Sequence, residues 1–289
     1  MTPPAVTPKT AVRTGLDPHY PRQFTFEEYC AYEDGTDNRY ELVQGYLQLM
    51  SPPAGLHIVI CEFLVYVFNR LFAFTHSPLR AGKEVGVRVQ KNTCRIVDVC
   101  VNGESHWQQI SQPGEKGIFL LAQTPLLVVE VTNTNEKEDY KAKFQEYAAV
   151  GILEYWIVNS RKEQLRVCTP TYLGGPYQYQ EFGTGEHIVS QVLPQLDLTV
   201  DEVLNPPAVR QLIELEQAQQ TAERDALEAK NTTIAAERDA LEAEKTTIAA
   251  ERDVFKAERD ALEAENAAIQ QELEQLKTLM QARGVDSLL

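Results

Sequence analysis

Three carboxylates in this chain sit where a carboxylate is costly. Asp98 lies within "RIVDVCV", Glu130 within "LLVVEVTN" and Glu41 within "YELVQGYL". Flanked by Val and Leu, such a group loses its solvation unless a cation or hydrogen-bond donors answer it. Taken singly, each reads as a strand residue paired with a Lys or Arg. Taken together, they suit a hard divalent cation such as Mg²⁺ or Mn²⁺, which takes a few carboxylates and completes its shell with water and phosphate oxygens. Asp139, Lys143 and Tyr147 follow at i, i+4 and i+8, a spacing that puts all three on one helix face. Asp139 before Lys143 is also the favourable order for an ordinary helical ion pair.

The surrounding pattern supplies elements to hold these groups. Thr25 with Glu28 three positions on is a capping-box spacing and predicts a short helix after Phe24. Tyr40 to Met50 alternates apolar and polar residues around Gln44-Gly45, as a β-hairpin does. After Ser51-Pro52-Pro53 the apolar residues from Gly55 to Phe74 keep a helical period. Strands are indicated at Glu84 to Val89, Arg95 to Val101 and Pro125 to Thr132. A helix from Asn135 to Val150 ends at Gly151, and strands resume at Leu153 to Asn159 and Leu165 to Thr169. Tyr172 to Phe182 reads as a peripheral hairpin, and Asp201 to Leu204 as a last turn before Pro206-Pro207. The implied fold is α/β (α+β), with residues 1–20 as a flexible arm and 21–205 as the folded domain.

The chain has 289 residues, 42 acidic and 27 basic, for a formal charge of -15. That balance argues against a general nucleic-acid coat. Residues 206–289 carry 18 acids and 10 bases, so -8 belongs to that segment and -7 to the rest. Lys83, Arg88, Lys91 and Arg95 are spaced closely enough to form either a local phosphate-contacting edge or an ordinary solvated hairpin. No unbroken apolar run of about 18 residues and no secretory leader appear, which predicts a cytoplasmic protein without a membrane span. Five cysteines without a CxxC pair argue against a disulfide framework or a thiolate zinc site. There is no GxSxG, Walker loop, HExxH or GxGxxG.

Residues 206–283 are coiled coil by pattern, followed by a 284–289 tail. A 14-residue unit, "AERDALEAKNTTIA", recurs, and every seventh residue from Leu227 to Leu276 is apolar. The companion seam, from Arg224 and Asn231 to Met280, is mostly polar. A homodimer is the first expectation. An antiparallel arrangement, a different partner protein or a lone charged helix are the alternatives.

In this order, "YELVQGYLQLMSPPAGLH", "VDVCV", "PLLVVEVTN", the Asp139, Lys143, Tyr147 stripe and "GILEYWIVNS" resemble the Uma-two family of bacterial proteins. That family in turn resembles the restriction-endonuclease-like, PD-(D/E)XK nuclease fold. The resemblance spans about residues 22–205 and implies a mixed sheet flanked by helices. It makes Asp98 and Glu130 the two acids of the nuclease signature, binding Mg²⁺ or Mn²⁺; Glu41, from its place in the hairpin, is read as completing the metal shell. The signature Lys two positions after the second acid is Thr132 here, and Lys143 takes its place by position. The implied activity is hydrolysis of DNA phosphodiesters, with Lys143 positioning the attacking water or offsetting charge on the transition state. Apart from the resemblance, His57 reads as a substrate contact or a capping or surface histidine, and Lys83, Arg88, Lys91 and Arg95 as the candidate substrate edge. The alternative is an inactive domain of the same fold whose coil recruits a partner.

Overall fold

The computed structural model describes residues 22–132 and 136–282. The expected arm and tail, and the three residues 133–135, lie outside the described residues. Two units are distinguished, one ending at Ile213 and one beginning at Glu214.

The first unit is built on a nine-stranded mixed sheet among the described residues. A short helix α1 (Phe26–Cys30), held by the Thr25/Glu28 capping box, precedes the hairpin β1 (Tyr40–Val43) and β2 (Tyr46–Leu49). Gln44 and Gly45 both take positive φ, as the tight turn requires. Helix α2 (Gly55–Thr75) is followed by two long antiparallel strands, β3 (Leu79–Gln90) and β4 (Thr93–Gly103). Next come α3 (Glu104–Ile110), the short β5 (Ile118–Phe119) and β6 (Leu127–Thr132). A π-helical turn (Glu138–Lys143) runs into α4 (Phe144–Val150), and β7 (Glu154–Asn159) then lies parallel to β6. Strands β8 (Gln164–Pro170) and β9 (Tyr177–Gly183) complete the antiparallel edge, and Thr199 caps a short α5 (Val200–Leu204).

Strands β6 and β7 are buried along their whole length, which explains their unbroken apolar sequences. One face of the sheet packs under α2, whose Ile60, Phe63, Leu64, Phe68 and Phe72 meet Val99, Val129 and Trp156. The other face packs under α4 and α3, with Tyr147, Tyr155 and Trp107 at its centre. By length and composition α2 could cross a membrane, at 21 residues and mean hydropathy 1.7. Glu62, Asn69 and Arg70 interrupt its apolar run. Here one side of α2 belongs to the core of the sheet, and Asn69 bonds both the carbonyl and the amide of Ala81 on β3.

Two expectations shift. The Tyr172 to Phe182 segment is not a hairpin in itself; it supplies a turn and then β9, which pairs with β8 in one larger hairpin. The helix before β7 opens on a π turn, which a 3.6-residue period does not reveal. The second unit continues α6 (Val209–Ala282), a 74-residue helix with no buried side chain among the described residues.

Candidate active site

The site begins with a fork in the sheet. Strand β3 occupies one edge of β4 from Thr93 to Gly103, so β1 and β6 share the other edge. β1 pairs with β4 at Cys94, and β6 pairs with it at Val99 to Val101. Between those points the ladder opens and leaves backbone donors to be satisfied. Two of the three strand carboxylates accept them. The Val131 amide donates to Asp98 Oδ2 at 2.7 Å, and the Ile96 amide donates to Glu41 Oε1 at 2.9 Å.

Glu130 lies on β6 beside this opening and is 3% exposed. The Tyr147 hydroxyl donates to its Oε1 at 2.6 Å, and Lys143 Nζ lies 2.8 Å from its Oε2. Lys143 also pairs with Asp139 at 3.3 Å, so the helical ion pair and the contact to the sheet coexist. Gly151 takes φ +90° and closes α4, with the Ile152 amide returning to the Tyr147 carbonyl. That cap sets where the helix face of Tyr147 and Lys143 meets the sheet. On the far side of the opening, His57 from the first turn of α2 places Nε2 2.9 Å from Asp98 Oδ2. Its Nδ1 is buried without a partner, as is the Thr132 hydroxyl.

Asp98, Glu130 and Asp139 thus face one ammonium, Lys143. Burial drives Asp98 and Glu130 above the usual carboxylate range, against the pull of Lys143, and their mutual repulsion adds to the rise in Glu130. Lys143 is held above its ordinary value: burial opposes its charge, and the charges of Glu130, Glu41, Asp139 and Asp98 overcome that. The cluster thus sets three carboxyl groups against one ammonium beside a cavity of about 480 Å³, lined by Asp98, Glu130, Asp139, Lys143, His57 and the Ser51-Pro52-Pro53 turn.

A divalent cation suits this donor set. Carboxyl groups of Asp98, Glu130 and Asp139 line the cavity beside Lys143 and His57, and Mg²⁺ needs only one or two carboxylates. Among the described residues no cluster of three or more His, Cys, Asp or Glu forms a ready-made cage. Asp98 and Glu130 are the residues that would hold such an ion.

The remaining candidates fall elsewhere. Arg95 is fully buried and faces no solvent. Its guanidinium donates to Glu146 at 2.7 and 3.1 Å, to Glu41 at 3.0 Å and to Glu138 at 2.7 Å. It cannot be a phosphate-contacting residue, and this corrects the expected basic edge. Glu41 also lines the cavity, and its two oxygens accept from the Ile96 amide and from Arg95, so it anchors Arg95 at the cavity's edge. Lys83 pairs with Glu62 on α2 at 3.0 Å. Arg88 lies over the Phe26 ring and donates to the Lys91 carbonyl, bracing the turn on which Lys91 sits. None of these four bases lines the cavity. Local sequence did not mark Glu138, Glu146 or the role of Tyr147 as donor to Glu130. An arginine inside "TCRIVDV" was the available signal for the first two, since a strand-buried cation needs acids as much as Asp98 needs a cation.

A family model, Uma2, described as "Putative restriction endonuclease", matches residues 26–201. The chain belongs to the Uma2 family. A crystal structure described as a "putative nuclease belonging to DUF820", from Anabaena variabilis ATCC 29413, is similar, with a TM-score of 0.51 and 17% identity. The likeness covers 63% of this chain and 97% of that one and is a likeness of fold. No curated protein matches. The first unit of this Uma2 protein thus has the restriction-endonuclease-like α/β fold, with Asp98 and Glu130 on neighbouring strands and Lys143 on the helix that follows.

Proposed function

We propose that this Uma2 protein is a metal-dependent nuclease that hydrolyses DNA phosphodiesters in the cytoplasm and assembles through its C-terminal coil. The observation that carries the reading is Lys143. The strand position that would present a lysine is Thr132, and Lys143 reaches Glu130 from the helix instead. An ammonium beside two buried carboxylates at the floor of a cavity is what attack on a phosphodiester needs. Five free cysteines suit a reducing compartment.

Mg²⁺ or Mn²⁺ held by Asp98 and Glu130 would polarise the phosphate and lower the pKa of a bound water. The chain's own part is more specific. Tyr147 fixes the Glu130 carboxylate by its hydroxyl, and the Val131 amide fixes that of Asp98. Lys143 holds its proton throughout and offsets negative charge on the pentavalent phosphoryl group. The Ser51-Pro52-Pro53 turn and His57 border the opening through which the phosphate enters.

The test is cleavage of plasmid or oligonucleotide DNA with Mg²⁺ or Mn²⁺. Activity is expected to disappear in Asp98→Ala, Glu130→Ala and Lys143→Ala, each shown to be folded by circular dichroism. Unchanged cleavage in the first two sinks the assignment. One observation favours an inactive binding domain: Tyr147 and Lys143 already occupy both oxygens of Glu130. Thermal stabilisation by Mn²⁺ that Asp98→Asn abolishes separates the two, since the inactive reading requires no metal.

A further inference from the structure

The long helix α6 leaves an apolar stripe uncovered. Its eight residues at seven-residue spacing, Leu227 to Leu276, are 52–69% exposed in the single chain. At on the order of 100 Å² of apolar surface each, two such stripes closing on one another bury roughly 1,600 Å², the size of a stable specific interface. The open question is what covers them, and in which direction.

The charges beside the stripe answer it. Placing the stripe at d puts Arg224, Arg238, Lys245, Arg252 and Arg259 at a, and each directly follows a glutamate at g, from Glu223 to Glu258. In a parallel pair the hole that receives an a side chain is bordered by the partner's g residue, so all five cations meet a glutamate. Within one chain the four arginines have loose, largely exposed pairs to the next aspartate at 3.0–3.6 Å, and Arg259 has a further one to Glu263 at 3.7 Å. In an antiparallel pair g faces g, and six successive heptads from Glu237 to Glu272 carry glutamate there. The parallel g-to-e contacts are mixed, with Glu251 to Lys256 and Glu272 to Lys277 attractive against Glu223 to Glu228, Glu237 to Glu242 and Glu258 to Glu263 repulsive. In the parallel pair each a cation also faces its own copy, and the partner's g glutamate beside it is the charge that offsets that repulsion. Asn231 and Asn266, also at a, meet their own copies only when the two chains are in register.

We infer that the occupant of the stripe is a second copy of this chain, parallel and in register, with its a-position cations neutralised by the partner's g glutamates. This rests on the coiled-coil reading of α6 and is independent of the nuclease assignment. It tethers both first units, which precede the helix in sequence, at the same end of the pair.

The full chain tests it. Light scattering at micromolar concentration should give twice the 32.6 kDa chain mass. Asn231→Cys, oxidised and run without reductant, should cross-link to itself, while Ala243→Cys on the outer face should not. Replacing Glu244 and Glu251 together by Lys, which sets them against Lys245, Arg252 and Lys256 of the partner without relieving a g-to-e repulsion, should weaken dimerisation at least tenfold and flatten its dependence on salt. A monomer overturns the pairing altogether. A dimer that fails to cross-link at position 231 overturns the parallel register alone, as does a charge reversal that leaves the dissociation constant unchanged.

Discussion

Arg95→Met tests the account of the fork most directly. The guanidinium is buried completely and makes four hydrogen bonds to three carboxylates that come from β1, the π turn and α4. Burial opposes its charge, but the hydrogen bonds and charges of Glu146 and Glu41 hold its proton above the ordinary arginine value. Methionine keeps much of the stem volume and removes the charge, leaving Glu41 and Glu146 buried without a cation; Glu138 is partly exposed and counts for less. Breaking a buried pair in this way costs about 3–5 kcal/mol. For a unit of this size that is a fall in Tm of about 10 °C. The loss should also depend on pH. In the variant the stranded carboxylates bind protons more tightly folded than unfolded. Their protonated forms favour the fold in acid, and that contribution is lost as pH rises, so the gap to wild type widens from about pH 4.5 to 7. Urea unfolding at several pH values measures it, and Arg95→Met/Glu41→Gln should recover part of the loss. A destabilisation under about 1 kcal/mol at pH 7, or one that does not change with pH, refutes the reasoning.

Burial holds Asp98 and Glu130 above the carboxylate range, so their protons and a metal compete. The folded form gains from those protons in acid and loses that gain as pH rises through the raised values. The rise in Tm produced by Mn²⁺ should therefore be small near pH 5 and grow toward pH 8, and scanning fluorimetry showing a constant rise would contradict it. Glu154 is buried and accepts from Trp156 Nε1, the Ser190 hydroxyl and the amides of Gln191 and Val192. Glu154→Ala should cost about 3 kcal/mol in urea unfolding by orphaning those donors, with Glu154→Gln losing less. A Cβ at Gly82 would lie 2.3 Å from Trp107 Cη2, so Gly82→Ala should cost about 1–3 kcal/mol and alter Trp fluorescence. An unchanged emission spectrum and Tm would show that the ring moves aside freely.

Periodicity made much of the architecture legible. Alternation marked the β1–β2 hairpin, an unbroken apolar run marked β6 and β7, and Gly151 marked the end of α4. Asp98 and Glu130 stood out because local sequence shows when a charge lies inside an apolar strand. Direction and distant partners are a different matter. Lys83, Arg88, Lys91 and Arg95 cluster along the chain, yet the β3–β4 hairpin sends them to Glu62, to Phe26, to a turn and into the interior. Arg95 meets Glu138 and Glu146 from 43 and 51 residues away, and no local pattern encodes that meeting.

The sequence by itself determined the order of elements, the acids with a claim to chemistry and the seven-residue stripe of the long helix. Each of these follows from local periodicity and from the cost of placing charge among apolar neighbours. Only the tertiary structure decided that β1 and β6 part along one edge of β4. That fork set Glu41 against Arg95 as its anchor, and it set Asp98 beside the Val131 amide and His57. The physical reason is that backbone donors left by an opened ladder, and a cation buried beneath it, must be satisfied by whichever carboxylates packing brings near. The same packing carried Lys143 to Glu130 from the helix.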